Sequence, residues 1–190
     1  SAISAVSKCG RHKEALSMME QMRKDGVEAD VYTYSGAITA CGKGGNPRKA
    51  LSLLDDMVDH YGIVPDMVCY GAAVSACAEA GLSDEALDVM RRMTAAGFVP
   101  DKMAFNAAIA ACGLNGDWGK ALDILEDMRA SGLRPNQHSY RLAMEACGNG
   151  GRWERALQLL EEMEDDGSTP GLPAFQAALD TLKHAGQWEK

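Results

Sequence analysis

The chain has 190 residues, 46% hydrophobic, 24% charged and 6% aromatic, a balance that suits a packed domain and excludes a disordered tail. No apolar run approaches the roughly 18 to 20 residues needed to cross a bilayer, so no membrane insertion is expected. Nineteen basic against 27 acidic side chains give a formal net charge of −8, which excludes a uniformly cationic coat and leaves room for a locally basic groove.

The opening Ser1-Ala2-Ile3 carries no basic or Arg-rich leader, so any address label is expected to lie outside this sequence. The first clear element is an apolar stripe at Ala15, Met18, Met19 and Met22, the spacing of one buried helix face, closed by Gly26. A second stripe follows at Tyr34, Ala37, Ile38 and Cys41. It ends at Gly44-Gly45-Asn46-Pro47, where asparagine is suited to cap, and proline to open, the next helix. That helix reads Ala50, Leu53, Leu54, Met57 and stops at Gly62 and Pro65.

The two stripes then return in alternation. Tyr70, Ala73, Val74, Cys77 precede Ala86, Val89, Met90, Met93, Gly97 and Pro100. Phe105, Ala108, Ile109, Cys112 precede Ala121, Ile124, Leu125, Met128, Gly132 and Pro135. Tyr140, Ala143, Met144, Cys147 precede Ala156, Leu159, Leu160, Met163, Gly167 and Pro170, and Phe175, Ala178, Leu179, Leu182 form the last stripe. The closing glycines are expected at positive φ, and the prolines prevent the helix from resuming. No alternating strand pattern interrupts them.

Cys41, Cys77, Cys112 and Cys147 lie 36, 35 and 35 residues apart, each after an alanine, and so are one position of a repeat. Equivalent residues of stacked repeats sit about a helix pair apart and do not converge on a metal, so packing is their expected role. No two of the six cysteines form a Cys-x-x-Cys pair, which points to reduced thiols. Trp118, Trp153 and Trp188, also 35 apart, are expected to pack under the hairpin turns. The methionine-rich stripes read as flexible core groups.

No catalytic residue, metal site or cofactor is expected. His12-Lys13-Glu14 matches half of a zinc deaminase signature, but Pro-Cys-x-x-Cys is absent. Gly42-Lys43-Gly44-Gly45 and Gly148-Asn149-Gly150-Gly151 do not continue into a phosphate loop.

The 35-residue period, the Tyr/Phe near each repeat start, the Ala-Leu pair in second helices and the closing Met-x-x-x-Gly-x-x-Pro-Asp phrase resemble the pentatricopeptide repeat family across the whole chain. The resemblance implies an all-α, right-handed α-solenoid of stacked helix-turn-helix repeats. A single array is expected, with full repeats at 31–66, 67–101, 102–136 and 137–171 and partial ones at 1–30 and 172–190, a fragment of a longer array.

The resemblance further implies single-stranded RNA as partner, read one base per repeat by the fifth and last residues of a unit. Ser35 with Asp66 then implies guanine, and Asn106 with Asn136 a pyrimidine, cytosine more than uracil. Gly71 with Asp101 and Arg141 with Gly171 depart from the pattern and should select poorly, while Asp30 and Gln176 belong to incomplete units. Second residues, Tyr32, Val68, Met103, His138 and Pro173, would sandwich the bases, with Val68 an aliphatic clamp and Tyr32 or His138 able to stack. Thirteenth residues would grip phosphate, but the column Lys8, Lys43, Glu79, Leu114, Asn149, His184 is cationic only at its start.

Most of the acidic excess falls on second helices, leaving first helices mildly basic. The function implied is non-catalytic RNA binding on a mitochondrial or chloroplast transcript. The rival is a scaffold that grips protein as part of an organelle ribosome or a photosynthetic or respiratory assembly, favoured by the broken lysine column and the degenerate pairs.

Overall fold

The computed structural model describes residues 11–184. Among them are ten helices and no strand: α1 His12–Lys24, α2 Val31–Lys43, α3 Pro47–Asp59, α4 Met67–Glu79, α5 Ser83–Ala95, α6 Lys102–Asn115, α7 Trp118–Ala130, α8 Gln137–Asn149, α9 Trp153–Asp165 and α10 Leu172–His184. The predicted punctuation is realised. Asn46 accepts from the Lys49 N–H with Pro47 at the helix start, and Gly26, Gly62, Gly97, Gly132 and Gly167 close second helices at φ between 61° and 86°. No helix among the described residues is long and apolar enough to cross a membrane.

The chain forms two compact units of stacked helical hairpins, the α-solenoid arrangement. The first comprises residues up to Ala80 with Glu85–Val99. In it α2 and α4 lie side by side, α3 packs on both, and α1 packs on α2. Tyr34, Ile38, Leu54, Met57 and Val74 fill the core. Glycine sets the approach of the two first helices: a Cβ on Gly42 would lie 2.9 Å from the Ala76 Cβ.

The second unit comprises Gly81–Asp84 with the residues from Pro100 onward. Here α6, α8 and α10 form the continuous layer, α7 packs on α6 and α8, and α9 packs on α8 and α10. A Cβ on Gly148 would come within 2.5 Å of the Thr181 Cγ2. Helix ends are stitched across hairpins: Asn149 Nδ2 donates to the Gly113 carbonyl at 2.8 Å, Asn115 Nδ2 to the Gly81 carbonyl, and Ser83 Oγ to Asp117 at 3.0 Å.

Repeated cysteines behave as core atoms. Cys41, Cys77, Cys112 and Cys147 are fully buried, and burial pushes the last three up to about 11, so they stay protonated thiols at neutral pH. Trp118 packs under the turn of the following hairpin, where a Cβ on Gly150 would touch its Cδ1, and the Arg152 guanidinium lies 5.1 Å from its ring centre. Trp188 lies outside the described residues.

Two stripes depart from expectation. Phe175 and Leu179 are 48% and 53% exposed, because no further hairpin covers that face of α10 among the described residues. Met18, Met19 and Met22 are half-buried, since α1 rests chiefly on α2.

Candidate nucleic-acid interface

First helices must satisfy the N–H groups of their opening turns, and in α2, α4, α6 and α8 the side chain of the residue before the helix takes part. Asp30 Oδ1 accepts from the Thr33 N–H at 2.8 Å, Asp66 from Cys69 at 2.9 Å, Asp101 from Ala104 at 2.9 Å, and Asn136 from Ser139 at 3.0 Å. The predicted terminal reading residues are therefore helix caps first. The sequence signal was available, since Asp or Asn four residues ahead of the stripes that open at Tyr34, Tyr70, Phe105 and Tyr140 is a helix-start pattern. At Asp30 the Thr33 hydroxyl and backbone N–H hold the carboxyl below its usual range.

Two residues beyond each cap stands the predicted sandwich position. In the first unit Tyr32 is 78% and Val68 59% exposed. In the second, Met103 is 76% exposed, and His138 is exposed with its Nδ1 3.2 Å from the Arg141 guanidinium. Large apolar side chains in solvent contribute little to folding but offer faces for a ligand. Pro173 is also exposed.

The fifth positions differ from one another. Ser35 is buried, and its hydroxyl donates to the Tyr32 carbonyl at 3.1 Å. Gly71 opens onto empty space, with nothing within 4 Å of an added Cβ. Asn106 is half-buried, and its Oδ1 accepts from the Ser139 hydroxyl at 2.7 Å; the same hydroxyl lies 3.1 Å from Asn136 Oδ1. Ser139 thus joins the members of one predicted pair, a role the repeat pattern did not reveal. Arg141 pairs with Glu145 one turn along its own helix. At Gly171 the Gln137 side chain fills the vacant volume, 2.8 Å from where a Cβ would stand, and donates to the Thr169 carbonyl.

Lys43 is exposed at the C-terminal end of α2, whereas Lys8 lies outside the described residues and nothing is described of the His184 side chain. The mild basicity read for first helices shrinks, because Arg141 is neutralised by Glu145 and Lys183 lies 3.3 Å from Asp180. The acidic second helices are in turn bridged by cations: Arg92 meets Asp55 at 2.8 Å, Lys120 meets Asp84 at 2.6 Å, and Arg129 meets Asp166 at 3.2 Å. The fully buried Tyr140 joins the last pair, accepting from Arg129 and donating to Asp166.

Family models match along the same run of repeated helix pairs. The PPR repeat family matches residues 1–43 and 100–149, the Pentatricopeptide repeat domain 52–115, and the PPR repeat 32–61 and 138–168. The chain belongs to the pentatricopeptide repeat family.

Among solved structures, this pentatricopeptide repeat chain is similar to the pentatricopeptide repeat protein PPR10 from maize, with 30% identity and a TM-score of 0.73 over 93% of this chain and 25% of that one. The structure of PPR10 in complex with an 18-nt psaJ RNA element gives 25% identity and a TM-score of 0.79, covering 98% of this chain and 27% of that one. A chloroplastic pentatricopeptide repeat-containing protein of Arabidopsis thaliana is 36% identical over 66 residues, 34% of this chain and 14% of the relative. A mitochondrial one is 28% identical over 127 residues, 50% of this chain and 19% of the relative. The chain therefore spans less than a fifth of these Arabidopsis relatives.

Proposed function

We propose that this chain is a non-catalytic part of a pentatricopeptide repeat array that binds single-stranded RNA, acting on a mitochondrial or chloroplast transcript. The observation that carries the reading is the exposure of Tyr32, Val68 and Met103 at the second position of successive first helices, each beside a polar cap. Such side chains offer stacking or clamping faces to unpaired bases, contacts of roughly 1–3 kcal/mol per base for an aromatic ring. The crystallisation of PPR10 with an RNA element supports the same ligand class, and the chloroplastic and mitochondrial relatives support an organelle.

In this reading Ser35 with Asp66 selects guanine, Asn106 with Asn136 selects cytosine over uracil, and the units at Gly71 and Arg141 tolerate several bases. The repeats at 31–66, 67–101, 102–136 and 137–171 form one array that continues in a longer protein. Few cations line the first helices, so affinity should come more from stacking than from phosphate neutralisation.

Binding of the chain to a pooled single-stranded RNA library across a salt series tests this. Selection of a short motif, with a shallow negative salt slope, is expected. No retained RNA even at low salt refutes it and points to the protein-binding scaffold.

A further inference from the structure

We propose that Ser139 is a specificity-positioning residue, whose hydroxyl orients the Asn106 carboxamide so that the Nδ2 donor is the group presented to a base. This rests on the base-reading role proposed for Asn106 and Asn136.

Ser139 is fully buried in the first turn of α8, and its hydroxyl has one proton to give. Its oxygen already accepts from the Asn136 N–H at 3.3 Å. The proton has two candidate acceptors, Asn106 Oδ1 at 2.7 Å and Asn136 Oδ1 at 3.1 Å. The shorter distance is that of a well-formed O–H···O bond, and Asn136 Oδ1 is already engaged by the Ser139 N–H at 3.0 Å. Turning the Asn106 amide round would set Nδ2 against a hydroxyl oxygen that already accepts from the Asn136 N–H, and would send the hydroxyl proton to the longer contact with the already engaged Asn136 Oδ1. The hydroxyl therefore holds Oδ1 inward and leaves Nδ2 outward.

The equivalent residues act differently. Thr33 donates to its own cap, Asp30 Oδ1, at 2.7 Å. Cys69 Sγ lies 4.0 Å from the Val31 carbonyl, and Ala104 and Ala174 have no side-chain donor. Among the described residues, only Ser139 reaches from this position to the fifth residue of the preceding hairpin. An outward donor matches a base edge that offers an acceptor; position 3 is an acceptor in cytosine and an N–H donor in uracil. Ser139 thus accounts for a cytosine preference that the two asparagines, each able to donate or accept, do not fix by themselves.

The test compares the chain with Ser139→Ala and Ser139→Cys, measuring affinity for RNAs carrying cytosine or uracil at the nucleotide whose selection Asn106→Ser alters. Cysteine occupies the same place at Cys69 and donates weakly, so Ser139→Cys keeps the packing while removing the strong bond. Ser139→Ala and Ser139→Cys are expected to lower the cytosine-to-uracil ratio by roughly three- to tenfold, the worth of one hydrogen bond, with overall affinity little changed.

An unchanged ratio in the alanine and cysteine variants, with Asn106→Ser still active, overturns the positioning role and leaves base reading intact. No response to Asn106→Ser overturns both. Without RNA, the side-chain NH2 resonances of Asn106 should shift or broaden in Ser139→Ala, and unperturbed resonances would also overturn the proposal.

Discussion

Removing the Tyr140 hydroxyl isolates the contact that ties three helices of the second unit together. Tyr140 on α8 has no solvent exposure; its hydroxyl accepts from Arg129 Nη2 at 2.7 Å, donates to Asp166 Oδ2 and lies 3.3 Å from the Glu162 carbonyl. Tyr140→Phe keeps the ring, so no large cavity opens. A hydrogen bond to a charged group is worth about 1.5–3 kcal/mol, and two are lost here. Part is recovered, because Arg129 and Asp166 still meet at 3.2 Å and their side chains, 24% and 35% exposed, reach water. The net cost should be about 2 kcal/mol, a fall in Tm of about 4–8 °C for a chain of this size.

The assay is paired thermal and urea melts of wild type and Tyr140→Phe across pH. The Tyr140 hydroxyl is the main cause holding the Asp166 carboxyl below its usual range, ahead of the opposing effect of burial and the help of Arg129. A lowered carboxyl stabilises the fold fully above its unfolded value, about 4, and loses that contribution as pH falls through the lowered folded value. The variant has less of this contribution to lose, so its deficit should narrow towards pH 2. A cost below about 0.5 kcal/mol at pH 7, or a deficit that widens in acid, refutes the reasoning.

Gly148→Ala places a methyl against Thr181, which is buried and bonded through its hydroxyl to the Ala178 carbonyl at 2.6 Å; denaturant melts should show a loss of about 1–3 kcal/mol. Gly71→Ala enters open space within α4 and should raise stability by about 0.5–1 kcal/mol in the same assay, through helix propensity alone. If Lys43 contacts phosphate, Lys43→Ala should weaken RNA binding evenly across sequences and flatten the salt slope by about 0.7, the value for one contact on a single strand.

Fold was legible wherever it depends on local pattern. The stripes at Ile38, Val74, Ile109 and Met144 lie buried where their spacing placed them. The interface was legible as positions rather than as partners. Tyr32, Val68 and Met103 do stand in solvent, but Asp66, Asp101 and Asn136 proved to cap helices, and the Ser139 bridge spans 33 residues of sequence. Exposure at Phe175 and Leu179 depends on what covers a helix, which periodicity does not contain.

The sequence by itself determined helices, turns and the repeat, because apolar spacing, Asp or Asn caps and glycine stops act on the chain within a few residues. Only the tertiary structure decided how side chains pair across hairpins. Whether Asn106 meets Ser139, Arg129 meets Asp166, or Gln137 occupies the volume at Gly171 follows from the approach of packed helices, and the close contacts at Gly42 and Gly148 limit that approach. Hydrogen bonds and ion pairs demand ångström-level geometry between residues distant in sequence, which a one-dimensional pattern does not carry.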